Sequence, residues 1–139
     1  MSESEGLLGL LSHEVDPLRY HYAQLEPGEV TGMVVDRIPR GSRVLDVGCG
    51  TGSFLDLLRT HRGADVVGVE PNAERAQAAR SRGHSVVTGY YDESSAAELG
   101  LFDVILFADV LEHMPHPGPV LRLASQWLAP GGCVATSMT

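Results

Sequence analysis

The chain contains no lysine. All ten of its basic side chains are arginines, set against eighteen carboxylates for a net charge of −8 over 139 residues. A phosphate loop of the Gly-Lys-Ser/Thr kind needs its lysine, and a pyridoxal enzyme needs a lysine for the Schiff base, so both chemistries are excluded. The deficit of positive charge argues equally against a nucleic-acid partner, whose attraction depends on clustered Lys and Arg. No apolar run approaches the ~18 residues of a membrane span, so no membrane partner is expected. Cysteine is almost absent: Cys49 and Cys133 stand far apart, a spacing that suggests neither a disulfide framework nor a zinc site. The start, Met1 to Glu5, is acidic and lacks the basic end and apolar core of a signal peptide, which places the expected compartment in the cytoplasm.

What is present is organised around Arg43-Val44-Leu45-Asp46-Val47-Gly48-Cys49-Gly50-Thr51-Gly52. A short apolar run ends in an acid and breaks into glycines at alternate positions, directly before a helix-like segment opening Ser53-Phe54-Leu55. The pattern is that of a buried strand, a ligand loop and a helix start. Residues 1–42 read as a helical cap segment, with helical patterns starting near Asp16-Pro17 and over Glu29 to Ile38. Arg19, Tyr20, His21 and Tyr22 crowd together there, as a packed helix face or as part of a ligand lid.

From Arg43 to Thr139 the chain reads as one α/β domain. Further strands are expected at Asp65 to Glu70, Ser85 to Gly89, Phe102 to Phe107 and Cys133 to Ser137. The intervening helices are expected from Phe54 to about His61, Ala73 to Arg82, Ser94 to Leu99 and Val120 to Leu128. A short helical stretch over Val110 to Met114 is expected to be broken by Pro115 and Pro117, and Ala129-Pro130-Gly131-Gly132 reads as a sharp turn. Strands alternating with helices predict a doubly wound, mainly parallel sheet in the order 3-2-1-4-5 with helices on both faces. In such a sheet ligands bind beyond the carboxyl ends of the strands where the order reverses, which brings Gly48 to Gly52, Glu70 and Ala108-Asp109 to one crevice.

Glu70 lies eighteen residues beyond Gly52, about where such folds place an acid on a ribose. The dinucleotide fingerprint Gly-x-Gly-x-x-Gly is not met, because Ser53 occupies the position of its third glycine. Asp46 would repel a pyrophosphate and favour a cationic ligand. A nucleotide-dependent oxidoreductase is therefore the disfavoured reading.

The segment Val44-Leu45-Asp46-Val47-Gly48-Cys49-Gly50-Thr51-Gly52 resembles the first motif of class I S-adenosylmethionine-dependent methyltransferases, and Val67-Gly68-Val69-Glu70 resembles their second strand. Phe102 to Leu106, Asp109-Val110-Leu111-Glu112-His113 and Leu128 to Gly132 are similar to later motifs of the family, especially its small-molecule branch. The resemblance implies a Rossmann-like fold, S-adenosyl-L-methionine as cofactor, S-adenosyl-L-homocysteine as product, and O- or N-methylation of a small acceptor. It implies that the backbone at Gly48, Cys49, Gly50 and Gly52 lies along the methionine portion, with Asp46 near the ammonium group. Glu70 and the adjoining Pro71 would meet the ribose, Tyr91 and Asp92 the adenine, and Ala108 and Asp109 the methionine side, while Tyr20 or His21 would close over the carboxylate.

An acceptor oxygen or nitrogen also needs a base to take its proton, and His113 at the crevice mouth is the candidate, with a helix-capping or packing histidine as the alternative. His113 and His116 lack a third partner for a metal. The family's sheet ordinarily continues past strand 5, so the expectation is a shortened form lacking the usual C-terminal strands. An exposed strand 5 edge then suits a homodimer. The alternative to an enzyme is a non-catalytic adenosyl-binding module.

Overall fold

The computed structural model describes residues 34–108 and 110–137. Tyr20, His21 and the first expected helix lie outside these residues, as does Asp109. Within them the order is β1 (Arg43–Val47), α1 (Ser53–Arg62), β2 (Asp65–Glu70), α2 (Ala73–Ser81), β3 (Ser85–Thr88), α3 (Glu93–Leu99), β4 (Phe102–Ala108), a 3-10 turn (Leu111–His113), α4 (Pro117–Gln126) and β5 (Leu128–Ser137). The strands form one parallel sheet in the order β3-β2-β1-β4-β5, the predicted topology.

The crossovers explain the two cores. Going outward from β1 to β3, right-handed connections put α1 and α2 on one face. The chain then reverses, so α3 and α4 cover the other. Alternation along β1 divides accordingly. Val44 packs with Leu55, Leu58, Ala76 and Ala79 on the α1/α2 face, joined by Val34, Val35 and Ile38 of the segment before β1. Leu45 and Val47 pack with Ala96 and Ala124 on the α3/α4 face.

Helix ends follow local chemistry. The Asn72 side chain accepts from Arg75 N at 2.9 Å to cap α2, and at the end of α1 Gly63, at φ +58, donates to Arg59 O at 3.2 Å while Ala64 N donates to Leu58 O at 3.4 Å. Two expectations are corrected. Helix α4 starts at Pro117 rather than Val120, because proline lacks only a donor that the first turn leaves unpaired in any case. Residues 129–132 do not turn away from the sheet. They bulge within β5, where Leu128 pairs with Phe102 and Cys133 with Val104, so five steps along β5 match two along β4. Backbone carbonyls crowd that bulge, and a Cβ on Gly132 would lie 2.8 Å from Asp103 O.

Gly68, in the middle of β2, is where loop and sheet meet. A Cβ there would lie 2.4 Å from Cys49 Sγ and 2.9 Å from Cys49 Cβ, so the loop after β1 rests directly on bare β2 backbone.

Candidate functional site

The loop between β1 and α1 is tied down residue by residue. Gly48 N donates to Val69 O at 2.7 Å, Cys49 N to the same oxygen at 3.1 Å, and Gly52 N to Cys49 O at 3.1 Å. Gly50 N donates to Glu70 Oε1 at 2.8 Å, while Glu70 Oε2 accepts from Asn72 N at 2.9 Å. One carboxylate thus joins the loop to the turn after β2, and it is 5% exposed. Gly48 is at φ +79, and a Cβ there would also meet Val110 Cγ2 at 2.7 Å, so any other residue would strain the backbone and displace Val110.

The far end of the loop is braced separately. Asp56 in the first turn of α1 receives Arg82, and its Oδ1 lies 2.6 Å from His84 Nε2. The Arg82 hydrogen bond, then that of His84, holds the Asp56 carboxyl below the usual range. The buried His84 ring also packs beside Gly52.

Above the loop opens a crevice of about 820 Å³, over the carboxyl ends of β1, β2 and β4 where the strand order reverses. Gly48 and Gly50 form its floor, and Glu70, Pro71 and Tyr91 line the β2/β3 side. Ala108 and His113 line the β4 side. All seven are candidates named from the sequence. Four other candidates do not line it. Gly52 is at the helix start, and Cys49 lies beneath the loop, buried, with its thiol pushed up to about 12, first by burial and then by the charges of Asp46 and Glu70. Such a thiol stays protonated and unreactive.

Asp92 is engaged elsewhere. Its Oδ1 accepts from Ser95 N, and Ser95 Oγ accepts from Asp92 N, both at 2.9 Å, a reciprocal cap on α3. Asp46 shares the α1/α2 face with Val44, on the side of the sheet away from Val47, which does line the crevice. It is 2% exposed and its Oδ1 has no hydrogen-bond partner among the described residues. Burial first, and Glu70 second, push its carboxyl up to about 7.

Tyr91 has a buried ring, and its hydroxyl has no partner among the described residues either. Burial raises it to about 12, so the group stays a neutral hydroxyl on the crevice wall. A buried unpartnered polar atom in a cleft marks a place for ligand hydrogen bonding. His113 is exposed, with its Nε2 3.6 Å from Glu112 Oε1, too long for a hydrogen bond. Sequence reasoning missed Arg75, Tyr90, Val110, Met114 and His116, which also line the crevice. They share one signal: each lies in the segment that follows the carboxyl end of β2, β3 or β4.

Comparison with known proteins follows the same lines. The methyltransferase domain family matches residues 21–139. The ubiquinone biosynthesis O-methyltransferase of Pectobacterium carotovorum is 34% identical over 128 residues, which are 88% of this chain and 49% of that protein. The chain therefore spans about half the length of the relatives it matches. An S-adenosylmethionine-dependent methyltransferase from Mesorhizobium loti superimposes with a TM-score of 0.62 at 26% identity, over 77% of this chain and 51% of that one. An amino pentose methyltransferase from Micromonospora echinaspora, solved with S-adenosylmethionine bound, shares the fold with a TM-score of 0.66 at 24% identity, over 92% and 57% of the two chains.

Proposed function

The chain belongs to the class I S-adenosylmethionine-dependent methyltransferase family, and from that premise we propose that it binds S-adenosyl-L-methionine in the crevice and methylates a hydroxyl or amine of a small acceptor. The observation that carries this reading is Glu70, which ties Gly50 to Asn72 while lining the crevice at the end of β2. Each of its oxygens accepts one backbone N–H and keeps lone-pair capacity for a ribose hydroxyl. The crevice also fits the remainder of an adenosyl sulfonium: an unpartnered Tyr91 hydroxyl for the base and apolar walls at Val47, Val69 and Val110.

When bound, S-adenosylmethionine supplies a methyl group made electrophilic by its positively charged sulfur. The protein's part is alignment, exclusion of water and handling of one proton. Gly48 and Gly50 let the backbone approach the methionine portion, and Ala108 and the neighbouring Asp109 border it. Asp46, behind the loop, contributes through its field rather than by contact. Val110, Met114 and Val120 keep water from the β4 side. His113 takes the proton that an acceptor hydroxyl or amine loses as its bond to the methyl carbon forms. Tyr20 is assigned to the lid over the carboxylate.

Titration calorimetry with S-adenosylhomocysteine and with NAD tests the cofactor, and binding of NAD alone would overturn the reading. On an acceptor panel, His113→Ala is expected to lower kcat about 100-fold, the lower end of general-base contributions, with S-adenosylhomocysteine affinity unchanged. Unchanged kcat would remove the base assignment, and cofactor binding with no turnover on any acceptor would favour the binding module.

Among the described residues no helix is long and apolar enough to cross a membrane. We place the protein in the cytoplasm, a setting that suits its two free buried thiols, Cys49 and Cys133. Among the described residues β5 pairs only with β4, and we assign its other edge to a second copy of the chain. Sedimentation at micromolar concentration should show a dimer; a monomer at every concentration would exclude it.

A further inference from the structure

We propose that Arg75 is a positioning residue for the adenosine half of the cofactor, its guanidinium packed on the base across the crevice from Tyr90. The inference rests on the cofactor reading above. The arginines nearest the sheet are committed elsewhere. Arg43 donates to Leu99 O and lies 4.1 Å over the Phe102 ring, Arg80 donates to Val86 O at 3.1 Å, and Arg59 and Arg82 face Asp56. Arg75 lines the crevice, and its guanidinium makes no hydrogen bond or ion pair among the described residues.

The backbone at Arg75 is nevertheless held. Glu70 Oε2 accepts from Asn72 N, and Asn72 Oδ1 accepts from Arg75 N, so two hydrogen bonds of 2.9 Å link it to the acid assigned to the ribose. The base adjoins the ribose, so a side chain one turn above that acid falls at the adenosine end. Tyr90, after β3, lines the same crevice and is 75% exposed, whereas the next residue, Tyr91, is 6% exposed. A large ring left in solvent and an uncommitted guanidinium, both lining one cleft, offer two planar surfaces to a flat aromatic ligand.

Charge decides which part of the ligand Arg75 meets. Beside the sulfonium it would repel, but the methionine side is assigned to Ala108 on β4, and Arg75 lies on the β2/β3 side with Pro71 and Gly89. A phosphate is disfavoured, because the Glu70 carboxylate lines the same side and no other arginine among the described residues lines the crevice. A neutral, polarisable base next to the ribose satisfies both constraints.

Calorimetry with S-adenosylhomocysteine and with adenosine, on the parent chain and on Arg75→Ala, Arg75→Lys and Tyr90→Ala, tests the assignment. Arg75→Ala is expected to weaken both ligands by the same factor, about 3- to 30-fold, with an unchanged melting temperature. Tyr90→Ala should act in the same direction, and Arg75→Lys should not recover the loss, because a point charge lacks the guanidinium plane. Parent-like binding by Arg75→Ala, a loss confined to S-adenosylhomocysteine, or full recovery by lysine would each overturn the proposal. A parent chain that bound no S-adenosylhomocysteine would remove the cofactor reading itself, a result distinguishable from any of these.

Discussion

Glu70→Ala is expected to weaken S-adenosylhomocysteine binding by at least ~100-fold and to destabilise the protein by ~2–5 kcal/mol. The two effects have different sources. Alanine leaves Gly50 N and Asn72 N without their carboxylate acceptor at a position where the side chain is 5% exposed, and each stranded donor costs ~1–3 kcal/mol. The affinity loss adds the hydrogen bonds from the ribose, each worth ~1.5–3 kcal/mol with a charged acceptor, where about 1.4 kcal/mol is tenfold in binding. Glu70→Gln separates them, since its amide oxygen accepts from one backbone donor while its NH₂ group cannot accept from the other. It should fall between parent and alanine in melting temperature and stay close to alanine in affinity. An alanine variant that binds as tightly as the parent would remove Glu70 from the ribose.

The second large effect concerns pH. Asp46 is buried, its Oδ1 lacks a partner among the described residues, and its carboxyl is raised to about 7. In the unfolded chain the same group titrates near the ordinary value of about 4. Between those two points the unfolded state has released the proton and the folded state retains it. The unfolded state then binds fewer protons, so stability falls as pH rises from about 4 to about 7 and levels off above. The full difference is on the order of 4 kcal/mol. Asp56 acts in another window: its folded value is lowered by Arg82 and His84, so its contribution is lost as pH falls below the ordinary carboxyl range.

Asp46→Asn isolates the Asp46 effect because an amide does not titrate and any packing cost it brings is independent of pH. Urea unfolding of both proteins from pH 4.5 to 8 should show the parent losing stability relative to the variant by several kcal/mol across this range. Parallel curves would mean that Asp46 is ionised or protonated alike in both states.

The sheet order and the position of the loop were legible because they rest on long-range regularities. Alternating strand and helix patterns with short connections leave few topologies, and Glu70 ends a strand beside the loop in any of them. What escaped depended on local competition for side chains. Asp92 was read toward the ligand, yet Asp92-Glu93-Ser94-Ser95 also carries a cap signature, with an acid and a hydroxyl three residues apart, and that is the use the structure shows. Asp46 was placed by its charge, although the period of two along β1 already put it on the face opposite Val47. Tyr90 and Tyr91 could not be told apart, since alternation ends with β3 at Thr88. Arg75 resembled any surface arginine because no pattern in one helix turn reveals which side chain leans over a cleft.

The hydrogen bonds that hold the glycine loop also decide what the loop refuses. A loop that grips phosphate does so with a concave row of free amides, yet here Gly48, Cys49, Gly50 and Gly52 all direct their N–H groups to protein acceptors. What the loop presents upward is glycine backbone backed by the Glu70 carboxylate, so the local potential is negative where a pyrophosphate would need it positive. We infer that the loop favours a cationic sulfonium over an anionic nucleotide, a preference set by where its amides point before any acceptor arrives.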